Sequence, residues 1–130
     1  MEAEASARAW VEAWTRGWPA KDPEPIVSRY TEGAVYRSHP FREPHSGGAR
    51  DYVEWAFSEQ ESVEFWFGEP VVAGNRAAVE YWAVLVESGR ELTIAGSAFL
   101  RFAPDGRVEE HRDYWAQAEG RIPPPTGFGR

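Results

Sequence analysis

The chain has 130 residues, enough for one domain that buries roughly two thirds of the surface its unfolded form exposes. A net charge of −7 with no long basic run argues against nucleic acid and anionic membrane surfaces as partners. The absence of cysteine excludes a disulfide framework and thiolate metal ligands, and leaves the redox compartment open.

Aromatic residues make up 15% of the chain, with seven Trp, a composition that suits a large apolar core or a pocket for a flat apolar ligand. No apolar run approaches the ~18 residues of a spanning helix, and Met1-Glu2-Ala3-Glu4 does not read as a signal peptide. The expectation is a cytoplasmic protein without a membrane partner.

In chain order, residues 3–18 read as a helix. Trp10, Trp14 and Trp18 recur every fourth residue and form one aromatic stripe, with Gly17 and Pro19 as the stop. Asp22-Pro23-Glu24-Pro25 opens a second, short helix with Asp22 as N-cap, Ile26, Val27 and Tyr30 on its buried edge and Gly33 at its end. Ala34–Ser38 reads as a short strand running into His39-Pro40-Phe41, and Arg42–Gly48 as a loop. A third helix covers about Ala49–Ser58, with Tyr52, Val53, Ala56 and Phe57 apolar.

From Val63 the apolar period becomes two. Val63, Phe65 and Phe67 alternate with polar residues, Gly68-Glu69-Pro70 bends the strand, and Val71–Ala73 continues it. Long strands follow over about Arg76–Glu87, Glu91–Phe102 and Arg107–Ala116, joined by Ser88-Gly89 and Pro104-Asp105-Gly106. The domain spans residues 1–118, and a Pro/Gly-rich tail over 119–130 is flexible or draped. Three N-terminal helices followed by an antiparallel meander define an α+β domain: a strongly curved antiparallel sheet with helices over its concave face and a conical hollow between them.

The last strand carries the chemistry. Side chains alternate across a strand, so Glu109, His111, Asp113 and Trp115 share one face and Val108, Glu110, Arg112 and Tyr114 the other. An imidazole, a carboxylate and an indole on one face suit a pocket wall better than an ordinary core.

Three stretches, Asp22 to Tyr30, Ala34 to Pro44 with His39-Pro40-Phe41, and Asp105 to Trp115, resemble the SnoaL-like and ketosteroid-isomerase-like families of the nuclear transport factor two superfold. The resemblance covers about residues 5–116 and implies a cystatin-like α+β roll, with the Tyr81, Ala83, Leu85 face turned inward. Position by position it departs from the isomerases. Their general-base Asp-Pro pair corresponds to His39-Pro40, the oxyanion tyrosine of the first helix to Trp14, and the protonated Asp of the penultimate strand to Ala98. The Arg-Asp-Tyr run of limonene epoxide hydrolases matches Arg112-Asp113-Tyr114, but the Arg and second Asp completing that site correspond to Tyr81 and Ala83.

The candidate catalytic residues are therefore His39, His111 and Asp113. Trp14, Trp18, Tyr30 and Tyr52, with Phe41, Tyr81, Ala98 and Trp115, are the candidate substrate contacts. A histidine takes and returns a proton near neutral pH, and a neighbouring carboxylate fixes its tautomer, so the set suits proton abstraction beside a carbonyl, water activation or elimination. The expected function is a small acid–base enzyme, without a cofactor, for an apolar small molecule. The alternative is a ligand-binding or docking module of the same fold. Each residue also has a structural alternative: Asp113 paired with a base, His111 satisfied in the core, His39 capping a turn. A metal at His39, His45, His111 and Asp113 has the right ligand types but no ligand spacing. Trp82, Val84, Val108 and Tyr114 form an outer apolar patch, and the resemblance implies a homodimer through it.

Overall fold

A computed structural model describes residues 1–130. Helix α1 (Ala3–Ala20) begins where the Glu2 carboxylate accepts from the backbone N–H groups of Glu4 and Ala5, at 2.9 Å each. The helix runs past the expected stop. Pro19 lies within its last turn, and the chain leaves through Lys21 in the left-handed region, φ 53°. Gly17 serves close approach and not termination, because a Cβ there would stand 2.6 Å from the Asp22 carbonyl oxygen. One face of α1 buries Ala7, Trp10, Trp14 and Trp18. Burial of such a side chain contributes roughly 2–3 kcal/mol before entropy is subtracted.

Helix α2 is a single turn (Glu24–Val27), with Asp22 Oδ1 accepting from Glu24 N–H at 3.1 Å. Strand β1 (Tyr30–Arg37) begins earlier than its periodicity predicts. Tyr30 belongs to this strand and not to the helix edge, and Gly33 lies inside it. Helix α3 (Gly48–Glu59) follows. Then come β2 (Ser62–Phe67), β3 (Val71–Ala73), β4 (Arg76–Glu87), β5 (Arg90–Phe102) and β6 (Val108–Glu119).

The six strands form one sheet in the order β1-β6-β5-β4-β2, with β3 also on β4 beyond the bend at Gly68-Glu69-Pro70. Every pair is antiparallel except β1 and β6, which run parallel. The fold is thus the expected α+β type, a curved six-stranded sheet with helices on its concave side. None of the helices is long and apolar enough to cross a membrane.

Register decides which side chains meet inside. Val79, Ala98 and Asp113 lie abreast on β4, β5 and β6, and Tyr81, Gly96 and Trp115 form the next row. The middle strand contributes only a methyl group and a hydrogen in these two rows, so its centre is hollow. A Cβ at Gly96 would stand 2.2 Å from the Tyr114 carbonyl oxygen, so the β5–β6 approach also requires glycine there.

The entry to β6 departs from simple alternation. Phe102 pairs with Val108 while Arg101 pairs with Glu110, so Glu109 is an extra residue. The bulge puts Val108 in the core, 1% exposed, and not on the outer face. It turns Glu109 outward to Arg101, at 2.8 Å, away from His111 and Asp113. Beyond the bulge, His111 and Asp113 face inward as expected.

The tail drapes over the outer face. Thr93 Oγ1 donates to Gly120 O (2.7 Å), Trp82 Nε1 donates to Ile122 O (2.8 Å), and Phe128 packs edge-on against Trp82 at 6.1 Å. Val84, the β4 partner of Thr93, is buried. Of the expected outer patch, Tyr114 remains clearly exposed, packed edge-on against Phe99 at 5.5 Å.

Candidate active site

Between α1, α3 and the concave sheet face lies a cavity of about 140 Å³, open at one end. Its walls are aromatic: Trp10, Trp14 and Trp18 from α1, Tyr52, Trp55 and Phe57 from α3, Tyr36 from β1, Phe67 from β2, Tyr81 from β4 and Trp115 from β6. Into this apolar cone projects Asp113, 6% exposed. Among the expected contacts, Trp14, Trp18, Tyr52, Tyr81 and Trp115 line it.

A buried carboxylate needs hydrogen bonds to remain charged. Asp113 Oδ1 lies 2.8 Å from His111 Nε2, and His111 Nδ1 lies 2.8 Å from the Tyr30 hydroxyl. The Tyr30 oxygen in turn accepts from Trp10 Nε1 at 2.8 Å. A carboxylate oxygen only accepts, which puts the imidazole proton on Nε2 and leaves Nδ1 as the acceptor of the Tyr30 O–H. Tyr30 thus accepts from Trp10 and donates its own proton to His111 Nδ1. Tyr36 stacks on the His111 ring at 4.0 Å, and Trp10 packs against it at 5.8 Å, so the ring cannot turn freely.

Both nitrogens of His111 are thus committed, and its side chain is 2% exposed. It positions Asp113 and has no free nitrogen for a substrate proton. Tyr30 is the next link behind it and does not line the cavity. Ala98 is fully buried in the wall beneath Asp113 and does not line the cavity either.

One donor accompanies the carboxylate in the cavity. The Tyr81 hydroxyl is held well above the ordinary phenol range, first by burial and then by the charge of Asp113, so it stays protonated. Trp14 Nε1 is buried with no hydrogen-bond partner, although Trp14 lines the cavity. That nitrogen is closed to solvent and acts on the Tyr30 phenol behind the wall, opposing the rise in pKa that burial causes there, and not on the cavity space.

His39 and Phe41 lie elsewhere. His39 is outside the cavity, edge-on to Trp115 at 5.0 Å, and its Nδ1 accepts from Phe41 N–H at 3.2 Å. It caps a turn, the structural alternative for a residue before proline. Phe41 is 92% exposed. The three histidines do not converge, and no three metal-ligating side chains come together.

His45 makes a second arrangement. Its Nε2 lies 2.8 Å from Ser38 Oγ and its Nδ1 lies 3.6 Å from Asp51 Oδ2, so serine, imidazole and carboxylate stand in line as in a hydrolase triad. Ser38 is buried, however, and its Oγ also accepts from Arg42 Nη1 at 3.1 Å. An enclosed, doubly bonded hydroxyl is no nucleophile. The line staples the β1–α3 loop.

The mouth holds residues that sequence periodicity did not single out: Arg42 on that loop, Glu59 and Gln60 at the end of α3, and Glu87 on β4. Gln60 Oε1 accepts from Trp18 Nε1 at 2.7 Å. The Glu87 carboxyl is held above its usual range by partial burial and by the charge of Glu59.

Comparison with known proteins follows the fold. An enzyme similar to epoxide hydrolases and cyclases, SalBIII, involved in pyran ring formation in the polyether salinomycin, superposes with a TM-score of 0.78 at 18% identity, over 92% of this chain and 100% of its own. A ketosteroid isomerase-like protein from Catenulispora acidiphila, solved with trimethylamine, gives a TM-score of 0.68 at 17% identity, over 81% and 83% of the two chains. A SnoaL-like protein of unknown function from Burkholderia thailandensis gives 0.64 at 21% identity, over 87% and 96%. At these identities the likeness establishes the fold. No curated protein matches the sequence. The profile of the SnoaL-like domain matches residues 7–111, most of the domain, and the chain belongs to that family.

Proposed function

We propose that the protein is an acid–base enzyme of isomerase, hydrolase, cyclase or dehydratase type, with Asp113 as its base and an apolar small molecule as substrate. The observation that carries this reading is one carboxylate inside an aromatic cone, held through Oδ1 by an imidazole whose other nitrogen is already satisfied. A cavity of about 140 Å³ is close to the ~150 Å³ that accepts a benzene ring, so one ring enters the cone and larger parts stay at the mouth. That SalBIII is described as epoxide hydrolase/cyclase-like agrees with chemistry of this type.

The proton balance is simple. Asp113 takes a proton from a carbon beside a carbonyl or from a water molecule. The electrons released pass to the carbonyl oxygen or, from water, into a new C–O bond as the epoxide C–O bond breaks and leaves its electron pair on the ring oxygen. The developing negative oxygen is met by the Tyr81 O–H, and the proton on Asp113 returns to the product. His111 keeps the carboxylate oriented throughout and gives up no proton. A general base so placed contributes roughly 10²–10⁴-fold in rate.

The test uses the purified chain with a panel of small cyclic ketones and cyclic epoxides. Deuterium exchange beside the carbonyl in heavy water and diol formation from epoxides are followed by mass spectrometry. Turnover that disappears in Asp113→Asn supports the reading. Saturable tryptophan quenching by panel members with no exchange or diol over hours would show a binding module instead.

A further inference from the structure

Arg42 is the one basic side chain lining the cone. Seven of the thirteen arginines make no ion pair, and Arg42 is the one of these seven that lines the cone. Arg8, Arg50, Arg90, Arg101, Arg107 and Arg121 all pair with carboxylates. Arg42 has no carboxylate within 4.0 Å. Its guanidinium carbon instead lies 5.9 Å from the ring centre of Trp55 and 5.4 Å from that of Trp115, both cavity walls. Of its five N–H donors, only Nη1 makes a hydrogen bond within the chain, to Ser38 Oγ.

The side chain is exposed and tethered at one nitrogen, and its backbone is held by the loop. Arg42 N–H donates to His39 O at 3.1 Å, and Arg42 O accepts from Arg37 Nη1 at 2.7 Å. Ser38, its side-chain anchor, is held by His45 through Oγ and by Trp115 Nε1 through its carbonyl oxygen, at 2.6 Å. A planar guanidinium held against ring faces loses little further freedom when its open edge takes a second fork of oxygens.

We propose that Arg42 is the anion-binding residue of this cavity and that its ligand is a one-ring apolar molecule bearing a carboxylate, ring in the cone and carboxylate at the mouth. This deepens the reading of the cone as a substrate site and rests on it. The charges fix the orientation. Asp113 repels an anion from the depth, and Glu59 and Glu87 repel it from the rest of the rim. Tyr52 lies within reach of both fields, since Asp113 raises its phenol pKa and Arg42 opposes that rise. A monoanion suits one guanidinium among three carboxylates better than a phosphate dianion does.

The experiment titrates the full chain, by calorimetry, with three probes sharing one ring: 3-phenylpropionate, 3-phenylpropanamide and 3-phenylpropylamine. The wild type binds the acid about ten-fold more tightly than the amide, as one charge-assisted fork allows. Arg42→Gln abolishes that preference and leaves the amide affinity unchanged, which also reports that the variant is folded. Glu59→Gln strengthens acid binding. Equal wild-type affinity for acid and amide, or a preference that survives in Arg42→Gln, overturns the proposal. If none of the probes binds, the cone is not a ligand site, and both this inference and the enzyme reading fall. If the acid preference is present but no panel substrate turns over, only the enzyme reading falls.

Discussion

Two imidazoles in this domain each bridge a hydroxyl and a carboxylate, and comparing them separates a functional arrangement from a structural one. In the cone the order is Tyr30, His111, Asp113, with both contacts at 2.8 Å. In the β1–α3 loop it is Ser38, His45, Asp51, at 2.8 and 3.6 Å. The chemistry matches, but the surroundings are reversed. Asp113 is buried and faces a cavity, whereas the Asp51 side chain is 54% exposed and faces water. An exposed carboxylate is screened and orients little, so the loop histidine serves as a tether. A carboxylate in an apolar cone has its reactivity set by the groups that hold it.

The sharpest way to break this comparison is to remove each carboxylate in turn. Asp113→Asn should lower kcat roughly 10²–10⁴-fold, while Asp51→Asn should leave kcat within about two-fold. Comparable losses from both would erase the distinction. Tyr30→Phe comes next in size. It strands Trp10 Nε1–H and His111 Nδ1 in the core, each costing about 1–3 kcal/mol, so urea unfolding should show a loss of roughly 2–6 kcal/mol. The conservative Ser38→Ala strands fewer buried groups and should cost less. A Tyr30→Phe protein as stable as the wild type would mean that the chain of donors behind Asp113 is not formed.

How much of this was legible in the sequence follows from which forces are local. Period-four tryptophans specified α1, period-two alternation beyond Val63 specified the sheet and put His111 and Asp113 on one face, and the family resemblance supplied the inward turn of Tyr81. Alternation failed where a single extra residue intrudes. The Glu109 bulge exchanged the faces of Val108 and Glu109, and no local composition marks it. Gly33 reads as a helix stop but lies within β1, at the register shift between Tyr30 and Val35 where the strand breaks its pairing with β6. Correspondence with isomerases singled out His39, yet the chain turns there and leaves the ring behind Trp115. Arg42 and Trp55 come together only because the loop folds back over α3, a contact that neither segment encodes alone.

Alkaline pH separates the two imidazole lines further. Burial holds the phenol pKa of Tyr30 above its unfolded value, opposed only in part by the Trp10 hydrogen bond. Tyr36, Tyr52 and Tyr81 are raised as well, each first by burial. The unfolded chain thus releases these protons first. Stability is unaffected well below pH ~10 and falls as pH rises above that value, by up to about 1.4 kcal/mol per pH unit for each tyrosine. Tyr30→Phe should reduce that slope by one tyrosine's share. Ser38→Ala should leave it unchanged, since a serine hydroxyl does not titrate there.

The smallest effect belongs to His45→Ala. It removes one hydrogen bond and an exposed contact with Asp51, so it should cost about 1 kcal/mol. Its consequence is directional rather than large. Ser38 Oγ then keeps only Arg42 Nη1 as a partner, and the loop that carries Arg42 loses a tether. The tethered guanidinium should become less ordered over Trp55 and Trp115, and an anionic probe should lose a few-fold in affinity while a neutral probe of the same ring loses none. If both probes weaken equally, the loop histidine supports the cavity wall itself and not the charge at its mouth.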